Sequence, residues 1–83
     1  MPYIKANERF AVDNERQAFT AGELNYRITS DINDYILLSG GVNYNRINEV
    51  IGVLECAKLE LYRRIAAPYE DKKKNENGDV YTV

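Results

Sequence analysis

Apolar residues recur at alternating intervals of three and four from Asn43 to Ala67, and this stretch dominates the chain. At about 100° of rotation per residue, Ile47, Val50, Ile51, Leu54, Ala57, Leu61 and Ile65 share one broad face. Arg46, Glu49, Glu60 and Arg63 take the far side. The pattern predicts one long amphipathic helix over 43–67, built from good helix formers. Asn43 or Asn45 is placed to cap it, since an asparagine oxygen accepts an orphan amide of the first turn. Pro68 is expected to close or kink it, because proline lacks an amide proton and clashes with the preceding turn. Such a helix is about 37 Å long, which is long for 83 residues, so part of it is expected to face another subunit.

A second helical face precedes it. Leu24, Ile28, Ile32 and Tyr35 align over 21–38. Thr20-Ala21-Gly22-Glu23 has the form of a capping box, with the hydroxyl on the Glu23 amide and the carboxylate on the Thr20 amide. Gly40 and Gly41 end the helix, since glycine accepts the left-handed conformation without steric cost. The short loop then implies an antiparallel return. The expected fold is all-α: an antiparallel helical hairpin with a long central helix, a short C-terminal helix and extended arms at both ends. Its expected core sets Leu24, Ile28, Ile32 and Tyr35 against Ile47, Ile51, Leu54 and Leu61. Residues 1–12 read as an extended arm, with Tyr3, Ile4 and Phe10 against the body. Residues 13–19 read as one helical turn capped by Asp13. Beyond Pro68, acids precede lysines in the order that suits a helix dipole. Asn77-Gly78-Asp79 then marks a turn into an extended tail over 77–83.

Size and composition narrow the picture. A chain of 83 residues is expected to be one domain with a thin core. Cys56 is its single cysteine, so no disulfide assists, and with no signal-like start a reducing, cytoplasmic location is expected. Histidine is absent, which removes the commonest general base and metal ligand. The net charge of −2 argues against non-specific nucleic-acid binding. No apolar run reaches the roughly 20 residues that cross a bilayer.

Catalytic signatures are missing too: no Gly-rich phosphate loop, no metal spacing and no nucleophile–base set. Neither a cofactor nor an enzymatic activity is expected. Seven tyrosines and two phenylalanines, with no tryptophan, suit contact surfaces better than catalysis. Tyr62-Arg63-Arg64 and Tyr69 place guanidinium groups beside phenol rings, a set that can hold a phosphate or a base. The simpler reading is salt bridging, since Glu60 lies three and four residues before the two arginines. Asn48, Glu55, Tyr62 and Tyr69, spaced by seven, form a polar flank where a partner helix or a small ligand would meet the protein. An ordinary surface flank accounts for them equally. Lys58 falls inside the apolar stripe, so it either snorkels outward or pairs with Glu55 or Asp31 beside a tyrosine hydroxyl.

Several strings are familiar: Met1-Pro2-Tyr3-Ile4, Gly22-Glu23-Leu24-Asn25-Tyr26, the run from Ile47 to Cys56, Leu59-Glu60-Leu61-Tyr62-Arg63-Arg64, Pro68-Tyr69-Glu70-Asp71, and Asn77-Gly78-Asp79-Val80-Tyr81. Together they resemble a family of small proteins of tailed bacteriophages and prophages, over nearly the whole chain. That resemblance implies a phage-type accessory protein in the host cytoplasm and carries no site residue with it. Against its pattern the stretch between Val12 and Thr20 is short, which leaves a third helix open. The expected function is non-catalytic binding, most concretely interference with host antiviral defence, by blocking a defence protein or sequestering a nucleotide signal. The alternative is an assembly protein that forms a helical homo-oligomer.

Overall fold

The computed structural model describes all 83 residues, and its regular structure is entirely helical. Four α-helices follow one another: α1 (Ala6–Asn14), α2 (Ala21–Leu38), α3 (Tyr44–Leu61) and α4 (Ala67–Asn77). A π-helical segment, Tyr62–Ala66, joins the last two. The chain divides into two compact units, Met1–Arg46 and Ile47–Val83.

In the first unit, the predicted arm is instead helix α1, packed on α2. Asp13 caps nothing: it lies in the last turn of α1, and its Oδ2 accepts the Tyr26 hydroxyl at 2.7 Å. The pattern of apolar residues missed α1 because few of them point at α2. Val12 is the one buried hydrophobic residue, at 2 % exposure. Polar groups complete the contact. Arg27 donates Nη2 to the Val12 carbonyl and, at 3.3 Å, to that of Arg16. A cation thus meets orphan carbonyls at the negative end of α1.

Glu23 anchors the start of α2 and is buried, with 4 % exposure. Thr20 caps as expected, its Oγ1 accepting the Glu23 amide at 3.1 Å. The return arm differs from the expected box. Glu23 Oε1 accepts the amide of Phe19, not of Thr20, at 3.1 Å. Both carboxylate oxygens also meet Arg16, through Nη1–Oε1 and through Nη2–Oε2 at 3.1 Å. This fork is the strong, geometrically specific form of ion pair, and the Arg16 guanidinium also lies 4.3 Å from the Phe19 ring centre. The α2 face covered in this unit is therefore Glu23, Tyr26, Arg27 and Ser30. The predicted apolar face is largely open: Leu24, Ile28 and Tyr35 are exposed, and Ile32 is half-buried. Gly22 lets the N-terminal segment cross here, since a Cβ would stand 3.2 Å from Ile4 Cγ2.

The stop after α2 is the predicted one. Gly40 and Gly41 take φ of 105° and 103°. Gly41 donates to Ile36 at 2.9 Å and Gly40 to Leu37 at 3.2 Å, the paired bonds of a Schellman motif. Arg46 Nη1 adds a bond to the Gly41 carbonyl at 3.0 Å. Asn43 caps α3, its Oδ1 accepting the Arg46 amide at 2.8 Å.

In the second unit Pro68 does not close the helix, though it stands in the first turn of the short C-terminal helix α4 that the sequence predicts. From α3 the helix runs through Pro68 to Asn77, where Gly78 ends it with a bond to the Lys74 carbonyl. Proline in a helix interior meets the carbonyl four residues back, here that of Arg64. A π turn widens the spiral by one residue and relieves that collision. The Ala67 amide accordingly bonds to Tyr62, five residues back. No residue of Ile47–Val83 is buried. The expected core residues Ile47, Ile51, Leu54 and Leu61 are all exposed, Ile51 by 60 %. No helix is long and apolar enough to cross a membrane.

Candidate functional site

The C-terminal segment of the second unit forms a groove. Gly78, with φ 93°, turns the chain where a side chain would be strained. Asp79 Oδ1 then accepts the Tyr81 amide at 3.0 Å, which fixes a tight bend. The tail thereby lies beside the helix and encloses about 440 Å³. Tyr62 and Ala67 line the helix side, with Glu70 and Asp71 of α4. Val80 and Tyr81 line the tail side, and Lys73 and Lys74 complete the wall with Asp79. The lining thus carries three acidic residues, two lysines and two tyrosines.

Of the residues singled out by sequence, the groove takes Tyr62 alone. Arg63 and Arg64 are both engaged by Glu60, at 3.2 Å and 3.5 Å, and stay exposed. That is the simpler of the two sequence readings, and it removes their guanidinium groups from the groove. Tyr69 sits outside it, with the Lys73 ammonium 5.6 Å from its ring centre. Lys73 is also bonded to Glu76 at 3.3 Å. Lys58 pairs with Glu55 at 3.1 Å as one alternative had it, yet its side chain is 69 % exposed, so the pair is a surface bridge. Such pairs contribute about 0–1 kcal/mol. Asn48 is exposed on the same helix.

The tail half of the groove was not foreseen. Asn77-Gly78-Asp79 signalled a turn, but the direction of the turn depends on the Asp79–Tyr81 bond. The first unit holds a smaller cleft of about 290 Å³, lined by Pro2, Tyr3, Arg9, Tyr26 and residues of α2. Arg9 is fixed there by its Nε bond to the Ile4 carbonyl at 3.0 Å and lies over the Tyr26 ring. The Asp13 carboxylate holds the Tyr26 hydroxyl above its ordinary pKa, and partial burial adds to this. No acidic or thiol side chains gather into a set that could hold a metal ion.

A family model described as a domain of unknown function (DUF6899) matches residues 1–80. No curated protein and no solved structure matches the chain.

Proposed function

The chain belongs to the DUF6899 family, and we propose that it acts by non-catalytic binding, taking a protein partner in the groove between the helix and the C-terminal tail. The observation that carries this reading is the groove itself, lined by Tyr62 on the helix side and Tyr81 on the tail side. Tyrosine offers large, stiff contact area with a polar tip, the usual make-up of an interface anchor. The charge on the walls favours a basic or amphipathic polypeptide over a nucleotide. Acids outnumber lysines there, and the two arginines suited to phosphate are turned to Glu60. In the phage setting that the sequence resemblance implies, the partner is a host protein, and blocking a defence protein is the most concrete form of the activity.

The test is expression in bacteria that carry a defence system, scored by plating of a sensitive phage. Wild type restores plaques, whereas a folded Tyr62→Ala/Tyr81→Ala protein does not. Restoration undiminished in that variant removes the groove from the function. Nucleotide sequestration has its own signature, a melting shift with cyclic or ADP-ribose-type nucleotides. A ligand at 100 times its Kd adds about 2.7 kcal/mol, and a shift of that size would replace the protein-partner reading.

One observation supports the assembly reading beside it. Every large apolar residue of α3 is solvent-exposed except Val50, which is half-buried.

A further inference from the structure

We infer that α3 is the seam of a homodimer, in which two copies of the helix pair antiparallel and centre on Gly52. The inference deepens the assembly reading and is independent of the groove. Its first ground is the spacing. Ile47, Val50, Leu54, Ala57 and Leu61 alternate threes and fours, as the inward positions of a two-stranded coiled coil do. The strip ends at Leu61, where the π turn begins and the seven-residue rhythm is lost.

The second ground is charge and shape complementarity, which selects one arrangement. A parallel pair sets flanking positions five apart against each other. Arg46 then faces Ile51, Val53 faces Lys58 and Glu60 faces Ile65, so no opposite charges meet. The helix dipoles also run side by side. An antiparallel pair centred near Gly52 matches the flanking charges better, at the expense of the Leu61 layer, which falls opposite the partner's Asn43. Ile47 packs on the partner's Ala57, and Val50 on the partner's Leu54. Ile51 and Val53 each meet their own counterpart, one on either flank of the axis. Arg46 and the partner's Glu60 meet on one flank of the strip rather than on its far side; Arg46 uses only Nη1 on its own Gly41 carbonyl, and Glu60 shares its carboxylate with its own Arg63 and Arg64. Lys58, bridged to its own Glu55, lies beside the partner's Tyr44, a cation by a phenol ring. Sliding one helix by two heptads sets Glu60 against Glu60 and Lys58 against Lys58. Sliding it by one sets Arg64 against Ile47 and Lys58 against Ile51.

The third ground is extent. The register overlays nearly all of α3 on its copy, from Tyr44 to Glu60, and covers six exposed or half-buried apolar positions per chain. Two chains of 9.6 kDa whose second unit buries nothing thereby gain the shared core that small domains obtain by oligomerising.

Sedimentation equilibrium between 1 and 100 µM tests the stoichiometry (concentrations on the order of a typical small-interface Kd). The expected mass is twice that of the chain, and a monomer throughout overturns the inference. Orientation is read from a spin label at Lys72→Cys in a Cys56→Ser background. The antiparallel pair puts the two labels about 60 Å apart at 1.5 Å rise per residue, and a distance near the ~10 Å of adjacent helices overturns it. Register is read from charge. Glu60→Arg weakens the dimer roughly tenfold, about 1.4 kcal/mol. Mixing it with Arg46→Glu yields a heterodimer tighter than either homodimer. With both variants helical by circular dichroism, failure of the mixed pair to form overturns the register; should Arg46→Glu unfold, Arg46→Gln with Glu60→Gln replaces the pair, and dimerisation unchanged in both overturns it. None of these readouts involves Tyr62 or Tyr81, so the groove proposal stands or falls apart from them.

Discussion

Replacing Pro68 by alanine tests the account of the π segment. In a helix interior proline is worse than alanine by about 3 kcal/mol. Part of that is the ring's collision with the carbonyl four residues back, which the wide turn at Tyr62–Ala66 already relieves. What remains is the poorer π hydrogen bonding and the missing amide donor, a net bond of about 0.5–1.5 kcal/mol. Against this, proline restricts the unfolded chain, worth about 0.4–1 kcal/mol. Pro68→Ala is therefore expected to stabilise the second unit by about 0.5 kcal/mol. For a chain of this size that raises Tm by about 2–4 °C, read by circular dichroism at 222 nm. Geometry gives a second readout. Removing the extra residue of the π turn rotates α4 by about 100° relative to α3. Tyr62 then turns away from the groove that it lines with Tyr81, so the variant is expected to be more stable and to lose groove-dependent activity. A lower Tm, or an amide at position 68 that exchanges like an exposed coil, would refute the claim that the proline imposes the π turn.

Acid is expected to loosen the first unit. Arg16 foremost, then the Phe19 amide, hold the Glu23 carboxyl below its ordinary value of 4.5. Its contribution is therefore complete above pH 4.5 and fades as pH falls through the depressed value; Glu23→Gln should flatten that limb of a Tm-against-pH curve. Tyr26 acts at the other end: its raised pKa means its contribution is present below pH 10 and lost as pH climbs beyond. Gly52→Ala should stabilise by about 0.5–1 kcal/mol, since nothing lies within 4 Å of the added Cβ; a lower urea midpoint would count against a regular helix there. Asn43→Ala removes the cap on the Arg46 amide and should cost about 1 kcal/mol in the same titration.

Sequence reading succeeded where structure is decided within one turn of helix. Thr20, Gly40, Gly41 and Asn43 each act on backbone groups three to five residues away, so α2 has its predicted limits. The Glu60–Arg63, Glu60–Arg64 and Glu55–Lys58 pairs were legible for the same reason. Reading by apolar period failed at α1 and at the covered face of α2, because that contact is assembled from a carboxylate and two guanidinium groups. Arg27 meets Val12 and Arg16 from far along the chain, and no local spacing announces it. Pro68 was half legible: it marks the first turn of α4, but it does not stop the helix before it, because the turn ahead of it can widen. The groove was half legible: Tyr62 was selected on a helix, but Tyr81 enters only through the bend at Asp79.

The way Arg27 holds α1 bears on how freely that helix can change. Its guanidinium grips the carbonyls of Val12 and Arg16, atoms that every amino acid supplies. Most side chains of α1 can therefore drift without loosening this attachment, while position 27 must keep a long cationic side chain whose end nitrogen reaches both carbonyls. Mutational tolerance in this unit is thus lopsided: the short helix is permissive, and the constraint sits on the long one that reads its backbone. A variant library over residues 6–15 should retain folding at most positions other than Arg9, Val12 and Asp13, whereas position 27 should accept arginine or lysine and little else.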